Sequence, residues 1–167
     1  MEITLDESTS VITPPAFGQA WPAQGGRYVG ILPPIASRPA VHLVASDEEV
    51  SLAWGPYRNI PGATSRHDGP ANSRALIEAG KECAAAHWCA QLRAGELQDF
   101  HLPSQAELFM ALLYAPQVFS QDDWYWSSTQ DSRYGAFAQD FAGGYSYWDI
   151  KDVELRVRAF RWIPFAA

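Results

Sequence analysis

Apolar and polar positions alternate with period two along several stretches of this chain, and they switch to helical spacing in two. Tyr28-Val29-Gly30-Ile31-Leu32 reads as a strand ended by Pro33-Pro34. Ala40 to Ala45 reads as a second strand and Val50 to Trp54 as a third, with the polar run Ser46-Asp47-Glu48-Glu49 as a hairpin-like connection between them. A polar loop from Gly55 to Ala71 follows, punctuated by Pro56, Pro61, Gly62, Gly69 and Pro70. A loop of this length is often functional. The spacing then predicts a helical stretch capped by Asn72, with Ala75, Leu76 and Ala79 on one face and Gly80 interrupting it. Its second part begins near Glu82, carries Cys83, Ala86, Cys89, Ala90 and Leu92 as an apolar stripe, and stops at Gly95.

The sharpest local signal comes next. In Leu102-Pro103-Ser104-Gln105-Ala106-Glu107-Leu108, Ser104 stands as an N-cap and Glu107 three residues later completes a capping box. Leu108, Leu112 and Leu113 continue at helical spacing until Pro116. Trp124-Tyr125-Trp126-Ser127-Ser128-Thr129 then reads as an aromatic strand running into hydroxyl residues, with Trp126 in the core and Ser127 and Ser128 in a local hydrogen-bond cluster. Tyr134 to Phe141, Tyr145 to Asp149 and Leu155 to Trp162 follow as strands, with Gly143-Gly144 as a tight turn. Strands, helices and then a run of hairpins indicate an α+β class rather than alternating βαβ units.

The first 24 residues have another character. Pro14-Pro15, Trp21-Pro22 and Gly25-Gly26 break any helix, yet Ile3, Leu5, Val11, Ile12, Phe17 and Trp21 are too apolar for a comfortably solvated tail. An extended arm that docks on a neighbouring subunit or a larger assembly is the expectation for residues 1–24, with one domain over residues 25–167.

Composition narrows the classes. A chain of 167 residues that is 47% apolar and 19% charged can bury a real core. Seven Trp within a 13% aromatic content suit either an aromatic-rich core or a binding surface. The net charge of −7 argues against sequence-independent nucleic-acid binding. The one basic cluster, Arg156, Arg158 and Arg161, is expected to pair with carboxylates such as Asp140, Asp149, Asp152 or Glu154. Cys83 and Cys89 would point about 120° apart on a helix, so buried free thiols are expected. Met1-Glu2-Ile3-Thr4 lacks the pattern of a signal peptide, and no apolar stretch approaches membrane-spanning length.

Reaction chemistry is not evident. Phosphate-loop, HExxH, CxxC and nucleophile-elbow spacings are missing, and His42, His67, His87 and His101 are scattered. His67-Asp68 reads as a solvated loop pair. Ser127 and Ser128 have no base in sequence. An Ala-rich stripe is a poor setting for a low-pKa cysteine. The expectation is a protein that is not an enzyme and takes no metal or cofactor.

The ordered motifs do carry a resemblance. Gly25-Gly26-Arg27-Tyr28-Val29-Gly30, Asp68-Gly69-Pro70-Ala71-Asn72, Ala84-Ala85 with Cys89 and Leu92, Phe100-His101-Leu102-Pro103-Ser104-Gln105-Ala106-Glu107-Leu108, Tyr125-Trp126-Ser127-Ser128-Thr129, Ala136-Phe137 with Phe141 and Gly144, and Arg156-Val157-Arg158-Ala159-Phe160-Arg161 follow one another over roughly residues 25–163. This order resembles the C-terminal domain family of the Legionella collagen-like adhesin, common in phage tail-region proteins. Asp99-Phe100-His101 departs from the Asp-Trp that often precedes Arg-Leu-Pro in that family.

The resemblance implies a C-type-lectin-like fold with two helices packed on antiparallel sheet and hairpins. It also implies a phage or prophage virion component: a lectin-like receptor-binding or tail-fibre tip protein, made in the host cytoplasm and forming a homo-oligomer, a trimer among the options. In phage tropism determinants of that fold, a C-terminal hairpin displays aromatic and polar side chains. Tyr145, Ser146, Tyr147, Trp148 and Asp149 stand at the matching place, and Tyr and Trp give rigid amphipathic contacts. The alternative is that one or two of them, Tyr147 first, belong to the core. The expected partners are a host surface receptor, protein or glycan, and other virion proteins, with no nucleic acid and no membrane insertion. The alternative function is a head- or baseplate-decoration protein without a receptor. The calcium and sugar motifs of true C-type lectins and the redox cysteines of formylglycine-generating enzymes are absent.

Overall fold

The computed structural model describes residues 12–166. Among these residues the chain forms β1 (Ala20–Trp21), β2 (Gly26–Leu32), β3 (Val41–Ala53), α1 (Gly69–Ala79), α2 (Ala84–Gln91), α3 (Gln105–Tyr114), β4 (Trp124–Gln130), β5 (Gly135–Asp140), β6 (Ser146–Ile150) and β7 (Glu154–Pro164). The strands make one seven-stranded sheet in the order β1-β2-β3-β7-β4-β5-β6. Neighbours are antiparallel, except that β4 meets β7 in parallel at Tyr125 and Arg156.

Both faces of the sheet are covered, and strand alternation explains how. Trp126, Ala138 and Val157 join Trp54, Leu76 and Cys89 in one core with α1 and α2. Their sequence neighbours Tyr125 and Phe137, with Leu43 and Phe160, join Leu108 and Ala111 of α3 in the other. A smaller cluster gathers Trp21, Tyr28, Val44 and Ile163, with Ile12 and Phe17 against it. Phe17 stacks on Tyr28 and Tyr114 at 4.7 and 4.5 Å between ring centres. The described part of the N-terminal arm therefore packs on its own chain. Ile3, Leu5 and Val11 lie outside the described residues.

The fold expectation requires a correction. The chain does not build two helices on antiparallel hairpins in the C-type-lectin-like manner. It builds one mixed seven-stranded sheet with three α-helices. The α+β class is compatible with this. The motifs that carried the resemblance report local structure, a cap or an aromatic strand, and neither of them sets strand order.

Local expectations change too. Ser46 to Glu49 is not a hairpin but an irregularity inside the single long strand β3, between Ala45 and Glu49. Ser46 is drawn inward: its carbonyl accepts from Arg158 Nε, and its hydroxyl accepts from Ala159 N and donates to Glu48 O. The cap of α1 is Asp68, which accepts from Ala71 N, and not Asn72. Asn72 is buried one turn in, bonded to Ser65 and Ser128. Cys83 is the N-cap position of α2, and the helix ends at Leu92 rather than Gly95. Both cysteines are buried free thiols whose pKa values burial pushes up. The arginines reach carboxylates other than those expected: Arg156 and Arg158 meet Glu49, and Arg161 meets Asp99.

Candidate recognition surface

Two sequence motifs build one hub beneath the surface. Ser104 Oγ accepts from Glu107 N, and Glu107 Oε2 accepts from Ser104 N at 2.7 Å. Glu107 is fully buried, and its other oxygen accepts from His101 Nε2 at 2.5 Å and Trp162 Nε1 at 2.6 Å. An ionised carboxylate is acceptor-only, so His101 carries its proton on Nε2. Burial raises the Glu107 pKa, but the His101 and Ser104 interactions outweigh it and hold the carboxyl below its ordinary value. A methyl group at Gly69 would overlap the Glu107 carboxylate and the His101 ring, which ties the α1 start to the same network.

The aromatic strand β4 fastens to this hub. Ser128 N donates to Pro103 O at 2.7 Å, and Gln105 N donates to Thr129 Oγ1. Thr129 Oγ1 donates in turn to Ser65 O, and Trp54 Nε1 donates to Ser127 O. Trp126, Ser127 and Ser128 are fully buried. The side-chain oxygens of Ser104, Glu107, Ser127, Ser128 and Thr129 are each engaged in hydrogen bonds that hold two loops, a helix start and a strand together. That arrangement positions backbone.

The β5–β6 hairpin projects from this framework. Its turn, Ala142-Gly143-Gly144, is held by Asp140, whose carboxylate accepts from Ala142 N and Gly143 N. Gly144 takes φ 76°, a left-handed value that favours glycine. Of the five predicted residues, Tyr145 is 70% exposed and Tyr147 61%, and Ser146 is exposed as well. Trp148 and Asp149 are half-buried. Trp148, not Tyr147, is the packed member: its ring meets Phe137 edge-on at 5.4 Å and lies under the Arg66 guanidinium. Asp149 Oδ1 accepts from Ile150 N.

The Gly55–Ala71 loop flanks the hairpin at two points. Arg66 covers Trp148, and Tyr57 packs edge-on against Tyr134, the residue before β5. Tyr134 is 54% exposed, with the Arg133 guanidinium over its ring. The pattern Ser-Arg-Tyr-Gly at residues 132–135 gives no periodic signal for this second aromatic point, and only the fold brings Tyr57 to it.

Lys151, just past β6, was not singled out by sequence. Its side chain is fully buried. Nζ donates to Arg58 O and Gln130 Oε1, both at 2.9 Å, and sits 4.5 Å from the centre of the Trp54 ring. Burial lowers its pKa to about 8. The amine thus ties the long loop to the hairpin base. Because the folded value lies below that of the unfolded chain, the folded state is penalised while both forms are charged. That penalty is relieved as pH rises from about 8 towards the ordinary lysine value. Urea midpoints are therefore expected to rise from pH 8 to 10 relative to a Lys151→Met variant. Parallel pH curves for the two proteins would refute this.

Among the described residues, no group of three or more His, Cys, Asp or Glu side chains is placed to hold a metal ion. No helix among them is long and apolar enough to cross a membrane. The grooves beside Gly25, Ser46–Glu48 and Leu92–Gly95 contain no hairpin residue.

No protein-family model matches the sequence. No curated protein matches it either. Among solved structures, the chain is similar to a fimbrial protein from Bacteroides ovatus ATCC 8483. The two are 14% identical at a TM-score of 0.49, over 71% of this chain and 35% of the other, so this chain spans about a third of that protein.

Proposed function

We propose that this chain is a non-enzymatic component of a phage or prophage virion that binds a receptor on the host surface, protein or glycan, through Tyr145, Ser146, Tyr147, Trp148 and Asp149. The observation that carries this reading is the pair of tyrosines, 70% and 61% exposed, on a hairpin otherwise fastened at its turn, its base and Trp148. Exposed rigid aromatics on a fixed backbone lose little conformational freedom on binding. The motif order described under Sequence analysis supports the virion setting. The side-chain oxygens of the buried hub serve structure, which favours recognition over catalysis.

The test is adsorption of particles carrying Tyr145→Ala with Tyr147→Ala. Trp148 is left in place, because its loss would disturb the packing on Phe137. Adsorption is expected to fall about tenfold or more, as for loss of central aromatic contacts, with unchanged thermal unfolding and particle yield. Unchanged adsorption would refute receptor binding by this hairpin and favour a decoration role.

A further inference from the structure

The two edges of the sheet are built differently. At the β1 edge, Gly18 N donates to Tyr28 O and Tyr28 N donates to Gln19 O, so the chain's own segment covers the start of β2. Pro14, Pro15 and Pro22 stand along that segment. β6 forms the opposite edge. It pairs with β5 through five consecutive positions without a bulge, and it contains no proline, no glycine and no charge besides Asp149. An edge of this kind is open to another strand.

The open groups can be identified. Asp140 N donates to Tyr145 O at 2.8 Å. Bonding direction alternates along an antiparallel ladder. Tyr145, Tyr147 and Asp149 therefore turn their backbone groups towards β5, and Ser146, Trp148 and Ile150 turn theirs outward. Ile150 is already engaged: its N–H donates to Asp149 Oδ1 and its carbonyl accepts from Val153 N. Among the described residues, the N–H and C=O of Ser146 and of Trp148 remain without a partner.

We infer that a second copy of the chain fills this edge, its β6 antiparallel to the first about a two-fold axis at Tyr147. Ser146 of each copy then pairs with Trp148 of the other, and all the open groups of both edges are satisfied together. The side chains agree with this register. Tyr147 faces Tyr147 of the second copy, an aromatic cross-strand pair, and Tyr145 faces Asp149. No like charges are opposed. The register centred on Trp148 would instead pair Ser146 with Ile150, whose groups are engaged.

The second copy also completes the surface. By strand alternation Tyr145 and Tyr147 share one face, so pairing places the tyrosines of both copies in one row across a continuous sheet. What that row binds rests on the receptor reading; the pairing itself rests on the edge.

Sedimentation equilibrium of the whole chain at about 100 µM, within the range of weak association, is expected to give twice the 18.5 kDa chain mass. Tyr147→Lys sets like charges face to face and is expected to restore the monomer without changing thermal unfolding. Tyr147→Cys is expected to cross-link under mild oxidant, because facing non-hydrogen-bonded residues lie about 4.5 Å apart. Ser146→Cys, at an exposed position that faces Trp148, is expected not to. Cys83 and Cys89 are buried and contribute little background. A monomeric wild type, a dimeric Tyr147→Lys, or equal cross-linking of the two cysteine variants would overturn the inference. A monomeric wild type whose particles still adsorb overturns the pairing and leaves the receptor reading standing, whereas a dimeric wild type whose particles do not adsorb supports the pairing and removes that reading.

Discussion

Replacing Glu107 with alanine is expected to destabilise the chain by about 3–5 kcal/mol, the scale for breaking a buried, hydrogen-bonded charge network. Three donors lose their acceptor at once: Ser104 N, His101 Nε2 and Trp162 Nε1. They belong to a helix cap, a loop bridged to β7 and β7 itself, so the loss is felt across three elements. Glu107→Gln keeps one acceptor oxygen, and its loss is expected to be smaller. Urea denaturation at pH 7 measures both. Acid adds a second arm to the test. The folded pKa of Glu107 is lowered, so its stabilisation is present above the ordinary carboxylate value and disappears as pH falls through the folded value. The wild type is therefore expected to lose stability more steeply with acid than Glu107→Gln. An alanine variant within about 1 kcal/mol of wild type, the range of ordinary surface substitutions and more, would show that the network carries little.

Trp126→Ala is expected to cost about 3–5 kcal/mol through lost burial and the cavity left behind. The ring is fully buried in the core shared by α1, α2 and the sheet, and its Nε1 donates to Leu52 O at 3.1 Å. Trp126→Phe retains most of the apolar contact and leaves the Leu52 carbonyl unpaired, so a cost of about 1–3 kcal/mol is expected. Thermal and urea unfolding of the two variants separates packing from the hydrogen bond. Equal losses for Phe and Ala would place the weight on the bond and contradict the packing argument.

The parts legible in the sequence were those set by neighbours along the chain. The capping box of α3 depends on positions three residues apart, and β4 on its own run of aromatic and hydroxyl residues. What could not be read depended on distant residues. Ser46 looked like turn chemistry because Arg158, 112 positions away, supplies the bond that buries its carbonyl. Asn72 and Asp68 are both capping residue types, and Ser65 and Ser128 draw Asn72 inward. Lys151 was an isolated polar residue with no sequence partner, since Trp54 and Gln130 reach it only in the fold. Strand order was hidden for the same reason: no local pattern announces that β7 separates β3 from β4. At the candidate surface, the residue types from Tyr145 to Asp149 suited exposure. The half-burial of Trp148 required Arg66, which sequence separates from it by three α-helices and two strands.

The central place of β7 also bears on how the chain is made. It lies between β3 and β4, yet the ribosome produces it after both. Until it emerges, β3 and β4 lack the neighbour they share, and both cores lack the residues that β7 supplies. Assembly of the sheet thus waits on contacts between parts far apart along the chain, which slows folding. During that interval a nascent molecule has two more sticky margins than a finished one, and shielding by a chaperone matters most then.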